Sequence, residues 1–174
     1  MPMSRSILGM LWIGLLCANA HAQTGDHMEV SVTVVPQDIR IMVTSTQIDF
    51  ARQQAAAGVV LLDPATGEIS TKLHGQHKLG VVQLTGGAGT HFAIDVVAPT
   101  ALNGEHADIA FDVQWAQSPG CGGEAYSMIN AKRSYVGQLG EVGQACLRFG
   151  GRIVLDNAHV GVYRGAVQVR LMTL

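Results

Sequence analysis

Two cysteines are the residues of this chain whose type and spacing most directly predict a chemical reaction. Cys121 and Cys146 lie 25 residues apart, and the third cysteine, Cys17, lies in an apolar N-terminal segment. In an exported protein, such an even pair predicts a disulfide, which would restrain the unfolded chain by about 3 kcal/mol. Two unpaired buried thiols are the alternative. The spacing is far from Cys-x-x-Cys, so it favours neither a redox centre nor a cysteine zinc site.

The histidines raise the question of a metal site. His74 and His77 lie three residues apart, and His91, His106 and His159 would join them only if folding brought them together. A closed metal site needs about four ligands, and the segment around His74 has the pattern of a strand end or loop. We therefore expect solvated loop histidines, with no metal and no cofactor.

Catalytic motifs are absent from the sequence. It contains neither Gly-x-Ser-x-Gly nor His-Glu-x-x-His. Asp108 and Asp112 share a predicted strand face, but at four strand residues apart they would stand about 13 Å from each other. That separation exceeds the range of paired glycosidase carboxylates. The sequence thus predicts no catalytic residue and a non-enzymatic protein.

The first 22 residues have the pattern of a secretory signal. Arg5 supplies a positive start, residues 6–17 form a short apolar run, and Ala20-His21-Ala22 is a small-x-small cleavage pattern. The run is shorter than the roughly 20 residues that a membrane span needs, although a retained anchor is the alternative. We predict a cleaved signal peptide at 1–22 and a single domain at 23–174, and therefore a protein that is exported and not embedded in a membrane.

The charge balance argues against nucleic acid as a partner. The chain has 11 basic and 13 acidic residues, and removal of Arg5 with the signal leaves 10 basic residues against 13 acidic ones. Nucleic-acid binding needs a basic patch, and Lys132-Arg133 is the only adjacent basic pair.

Alternation of apolar and polar residues dominates the mature chain and predicts β-strands. Apolar residues alternate with polar ones from Ile109 to Trp115, and Pro, Asn and Gly recur between such runs. Nine to eleven short strands at this spacing predict an all-β fold, an antiparallel immunoglobulin-like β-sandwich. The predicted strands are 28–34, 39–44, 48–50, 59–62, 68–73, 79–84, 92–97, 109–115, 145–149, 152–155 and 162–172. Residues 51–57 could form one or two helical turns, and 126–142 could be two strands or a loop.

The end of the chain carries a family resemblance. Residues 149–155 (Phe-Gly-Gly-Arg-Ile-Val-Leu) precede Gly-Val-Tyr-Arg-Gly at 161–165, and Ile48-Asp49-Phe50 lies near the start. This pattern resembles a secreted bacterial pilin- and adhesin-like β-sandwich family of unknown function, similar to spore-coat-U-like and chaperone–usher fimbrial subunits. Ala51 stands where the family has glycine. We expect these motif residues to determine the fold: Phe50, Gly150, Gly151, Gly161, Tyr163 and Gly165.

The resemblance implies a pilin-like or cell-surface structural subunit that assembles by β-strand pairing. Its partners would be other copies of the chain or pilus subunits, with a periplasmic chaperone, in the periplasm, on the outer surface or in an extracellular fibre. The strand-pairing residues would be Met28, Val30, Val32 and Val34 on the donor strand, and Val167, Val169 and Leu171 at the acceptor edge. The alternative is a ligand-binding module for glycans that uses Trp115, Tyr126 or Tyr135 as stacking surfaces, although Trp115 suits the core better.

Overall fold

A computed structural model of the chain describes residues 39–54, 58–71, 76–156 and 158–173. These residues form ten strands, which all pair antiparallel, and contain no helix. None of them therefore belongs to a helix able to cross a membrane. The all-β prediction is confirmed. The strands are β1 (Arg40–Ser45), β2 (Val59–Leu62), β3 (Gly80–Thr85), β4 (His91–Val97), β5 (Ala101–Leu102), β6 (Ile109–Ser118), β7 (Ser127–Ile129), β8 (Ser134–Gln138), β9 (Gln144–Val154) and β10 (Gln168–Thr173).

The strands form two sheets. The larger sheet has the order β1-β3-β9-β6-β5, with β2 also paired to β9 and β7 also paired to β6, and it curls into a half-barrel. The smaller sheet has the order β10-β4-β8. The long strands β9 and β6 pair with each other at the centre of the larger sheet. On its other edge, β9 pairs with β3 along one half and with β2 along the other, and β6 pairs with β7 along one half and with β5 along the other.

The main core contains inward-facing residues of both sheets. Strand β3 alternates in burial, with Val82 and Leu84 buried and the residues between them less so, as the period-two pattern predicts. Trp115 is the largest fully buried side chain; its ring stacks on Phe149 at 5.9 Å between centroids. Its indole N–H donates to the Ala131 carbonyl at 2.8 Å, so the one polar atom of the ring is satisfied. The buried members of this core are Ile39, Val82, Leu84, Phe92, Ile94, Val96, Trp115, Leu139, Ala145, Leu147 and Phe149.

A second apolar cluster fills the part of the larger sheet around β2, the start of β6 and the end of β9. Phe50 packs edge-to-face against Phe111, with 6.2 Å between ring centroids. The buried members of this second core are Phe50, Val60, Leu62, Ile109, Phe111, Ile153 and Leu155. The long central strands therefore bury apolar side chains in two separate cores.

Gly150 and Gly151 allow β9 to exchange partners without a break. β9 pairs with β3 up to Phe149 and with β2 from Gly151 onward, while its register with β6 runs unbroken past both glycines. A Cβ at Gly150 would overlap the backbone of Leu62, and one at Gly151 would lie 2.5 Å from the Asp112 carbonyl oxygen. The prediction of two short strands at 145–149 and 152–155 is therefore wrong: the segment is one continuous strand.

Other predicted boundaries also change. Residues 48–50 are not a strand but carry one bridge from Asp49 to Lys78, and residues 51–54 form no helical turn. The hairpin partner predicted at 68–73 is reduced, in its described part, to one bridge from Ile69 to Leu62. The last strand begins at Gln168 rather than Val162, because the preceding segment makes only a bridge between Arg164 and Asn103. The segment at 126–142 contains two strands, β7 and β8.

Candidate functional site

The disulfide predicted from the sequence is confirmed. Cys121 bonds to Cys146, and their Cα atoms lie 5.3 Å apart, within the normal range for a disulfide. Cys146 is buried in β9, whereas Cys121 lies in the exposed glycine-rich loop that follows β6. The bond therefore ties a surface loop to the central strand of the larger sheet.

This loop covers part of the outer face of the sheet. Ala116 pairs with Arg148 and Ser118 with Cys146, so these four residues share the face opposite to Trp115. Ala116 and Ser118 are nevertheless fully buried. Since the disulfide holds residue 121 against this same face, the loop at 119–126 accounts for their burial. The alternating run from Ile109 to Trp115 ends just before these two residues.

Tyr126, at the end of this loop, lies against Arg148. The guanidinium carbon of Arg148 is 3.8 Å from the centroid of the Tyr126 ring, the geometry of a cation–π contact. One face of the ring that was considered as a ligand-stacking surface is therefore occupied by an arginine.

Arg148 also lines an open cleft of about 460 Å³. Lys78 and His77 line the same cleft, and Ser45 and Thr66 contribute hydroxyls. The Nε2–H of His77 donates to the Gly67 carbonyl at 2.8 Å, which orients the imidazole at the edge of the cleft. No carboxylate is among the described residues that line this cleft.

A second cleft, of about 400 Å³, lies between β7 and β8. It is lined by Tyr135 together with Met128, Ile129, Asn130 and Gln117. Tyr135 is half-buried, and its ring makes edge contacts with Trp115 and Phe92. Of the three aromatic residues considered for ligand stacking, Trp115 is a core residue, as expected, and Tyr135 is the one that lines a cleft.

The candidate strand-pairing residues fall in two regions. Met28, Val30, Val32 and Val34 lie outside the described residues. Val169 and Leu171 belong to β10 and, with Val167, pack half-buried against the main core, whereas Gln168, Arg170 and Met172 are exposed. Among the described strands, β10 pairs with β4 alone, so its second edge carries no strand of the described chain.

The candidate fold residues at the end of the chain behave differently from one another. The Tyr163 hydroxyl donates to the His159 carbonyl at 2.7 Å while its ring packs against the second core, as expected. A Cβ at Gly165 would lie 2.7 Å from Cδ2 of Leu102, so the end of that leucine side chain would have to shift to admit it. Gly161 lies in open surroundings, where a Cβ would meet no atom within 4 Å.

The structure brings two of the five candidate histidines together. The rings of His106 and His159 lie 6.2 Å apart between centroids, and both residues are exposed. His74 lies outside the described residues. Across the described part of the chain, no three or more His, Cys, Asp or Glu side chains are grouped as a metal site requires. Asp112 is exposed on β6, and Asp108 is exposed just before that strand.

Sequence reasoning did not identify Arg148, Lys78 and His77 as neighbours. These residues come from distant positions and meet only because β3 pairs with β9. The one available signal was the position of Arg148, two residues after Cys146 on the same strand face. Comparison of the chain with protein-family models, with curated proteins and with solved structures finds no match.

Proposed function

We propose that this protein is an exported, non-enzymatic structural subunit with an immunoglobulin-like β-sandwich fold that assembles by β-strand pairing. In this proposal the donor is the alternating segment at 28–34, and the acceptor is the β10 edge of another copy or of a related subunit. Such a subunit is pilin-like, meets a periplasmic chaperone after export, and functions in the periplasm, at the cell surface or in an extracellular fibre.

The state of β10 is the observation that carries this proposal. The strand has one partner among the described strands, and its inward residues Val169 and Leu171 are only half-buried. An added strand at this edge would gain backbone hydrogen bonds and would cover these apolar side chains further. Support for export comes from the signal-like residues 1–22 and from the disulfide, since disulfides persist in oxidising compartments.

The alternation of the donor segment provides a test with a matched control. Val32 belongs to its apolar face and Ser31 to its polar face. In a chain that begins at residue 23, we expect concentration-dependent oligomers in sedimentation velocity. Val32→Glu should abolish them because a charge would enter the apolar groove, whereas Ser31→Glu should retain them. Deletion of residues 23–35 should give a monomer. Adding a peptide of residues 28–34 to that monomer should slow the hydrogen exchange of the β10 backbone amides.

A protein that stays monomeric at millimolar concentration would overturn the proposal. Oligomers that survive both Val32→Glu and the deletion of 23–35 would also overturn it, because they would form through another surface.

The ligand-binding alternative is favoured by the position of Tyr135 in the cleft between β7 and β8. A half-buried aromatic ring that lines a cleft beside amide side chains is suited to a neutral sugar. Screening against a glycan array would test this function: Tyr135→Ala should remove any signal, and an array without binding would contradict it.

A further inference from the structure

Arg148 is held in place by a rigid arrangement on the outer face of the larger sheet. Cys146 precedes it by two residues on the same face of β9, and the disulfide fixes the loop that ends at Tyr126. The guanidinium carbon of Arg148 then lies 3.8 Å from the centroid of the Tyr126 ring. Stacking uses the face of a guanidinium and leaves the N–H groups at its edge available for hydrogen bonds.

The charge of Arg148 is not neutralised by the described part of the chain. Among the described residues, the side-chain partner of Arg148 is the Tyr126 ring, and no described carboxylate forms an ion pair with Arg148. Arg148 is half-buried, and removing a cation partly from water is costly unless an anion or hydrogen-bond acceptor compensates. Within the described residues, Arg148 is therefore a half-buried arginine that contacts the Tyr126 ring and forms no ion pair, and a bound anion would stabilise its charge.

The cleft beside Arg148 has the composition of an anion site. Lys78 adds a second cation, which forms no ion pair within the described residues although Asp49 lies opposite it in a backbone bridge, and His77 adds an imidazole. The Ser45 hydroxyl donates to the Gln47 carbonyl and can still accept a hydrogen bond, and the Thr66 hydroxyl accepts from the Glu68 N–H and can still donate one. This concentration of positive charge occurs in a chain whose acidic residues outnumber its basic ones. The volume of about 460 Å³ suits a ligand of the size of one sugar unit.

We propose that this cleft binds an acidic sugar, with Arg148 holding the oxyanion group through its guanidinium edge and Lys78 adding a second charge. Carboxylate and sulfate groups share the geometry that a guanidinium recognises. Tyr126 is a positioning residue: it does not touch the sugar but fixes the plane of the Arg148 guanidinium. This site lies on the face of the sheet and not at its β10 edge, so the inference is independent of strand-pairing assembly.

Isothermal titration at low ionic strength tests the proposal with four probes: glucuronate, glucose 6-sulfate, glucose and inorganic sulfate. We expect one or both acidic sugars to bind at least about tenfold more tightly than glucose and than sulfate alone. A preference between the two acidic sugars identifies the natural group as carboxylate or sulfate. Sulfate binding as tightly as the sugars would overturn the assignment of a sugar ligand, and no binding of either acidic sugar at 10-fold excess over a millimolar protein sample would overturn the site.

Arg152 provides the matched control for Arg148, because it is an exposed arginine on the same strand outside the cleft. We expect Arg148→Gln to weaken binding of the acidic sugar about tenfold or more, and Arg152→Gln to change it less than about twofold. Equal effects of the two substitutions would show that only general charge matters and would refute the site.

The positioning role of Tyr126 needs a separate readout. Tyr126→Phe keeps the ring and should retain the affinity, whereas Tyr126→Leu should weaken it about threefold or more at an unchanged thermal midpoint. Reduction of the disulfide, measured at a temperature where the protein stays folded, should weaken the affinity by a similar factor to Tyr126→Leu. Unchanged affinity in both Tyr126→Leu and the reduced protein would refute the positioning role.

Discussion

Gly150 and Leu62 approach so closely that a Cβ at position 150 would overlap the carbonyl oxygen of Leu62. This contact lies at the point where β9 exchanges β3 for β2 along the same edge. A side chain there would force the two strands apart and would disturb both cores that β9 joins.

The first prediction follows from this contact. We expect Gly150→Ala to lower the free energy of unfolding by about 3 kcal/mol or more, because the backbone of Leu62 must move to admit the methyl group. Gly161→Ala is the control, since a Cβ there meets no atom within 4 Å. Urea denaturation followed by circular dichroism measures both variants. Similar stabilities for the two would contradict the close approach.

The second prediction concerns the disulfide between Cys121 and Cys146. Replacing both cysteines by alanine should cost about 3 kcal/mol, because the 25-residue separation determines how much entropy the bond removes from the unfolded chain. The cost should appear as a lower midpoint in urea. Reduction of the wild-type protein should lower its midpoint by a similar amount, and it should leave the alanine variant unaffected. A reductant effect on the alanine variant would mean that another process is being measured.

The third prediction concerns Trp115, which is buried between the two sheets. Trp115→Ala should cost about 3–5 kcal/mol through the cavity it leaves, and Trp115→Phe a smaller amount through the lost hydrogen bond to Ala131 and the lost volume. Circular dichroism is the appropriate probe, because both substitutions remove the fluorescence of Trp115 itself. Val142→Ala, on an exposed turn, should change stability by less than about 0.5 kcal/mol.

The fourth prediction separates two tyrosine hydroxyls. The Tyr163 hydroxyl donates to the His159 carbonyl, so Tyr163→Phe should cost about 1 kcal/mol. The Tyr126 hydroxyl has no hydrogen-bond partner among the described residues, so Tyr126→Phe should be neutral. The difference between the two thermal midpoints is the measurement. A neutral Tyr163→Phe would mean that water replaces the tyrosine as the donor to His159.

Alternation identified the strands whose two faces have different surroundings. Ile109, Phe111 and Trp115 were assigned to one inward face of β6, and all three are buried. Prediction failed where local sequence does not decide the outcome. Residues 48–50 have an apolar pattern, but they form only one backbone bridge, from Asp49 to Lys78. Strand pairing depends on how much of a neighbouring segment lies close enough to form hydrogen bonds, and the local sequence does not determine that. The start of β10 moved to Gln168 for the same reason.

In the candidate site too, one feature could be predicted from the sequence and another could not. The disulfide could be predicted, because only two cysteines lie outside the apolar N-terminal segment and they have one possible pairing. The cleft could not, because Arg148, Lys78 and His77 are separated by 70 or more residues at the widest and no motif joins them.

By itself, the sequence determined the strand-forming pattern, the disulfide pair and the placement of Trp115 in the core, since each depends on local period or on residue type. The tertiary structure alone decided that the Cys121 loop lies on the outer face of β6 and β9 and that Tyr126 packs on Arg148. It also decided that the buried apolar side chains form two cores. These features depend on contacts between residues far apart in the chain, and such contacts are selected by strand register and by steric fit rather than by local preference.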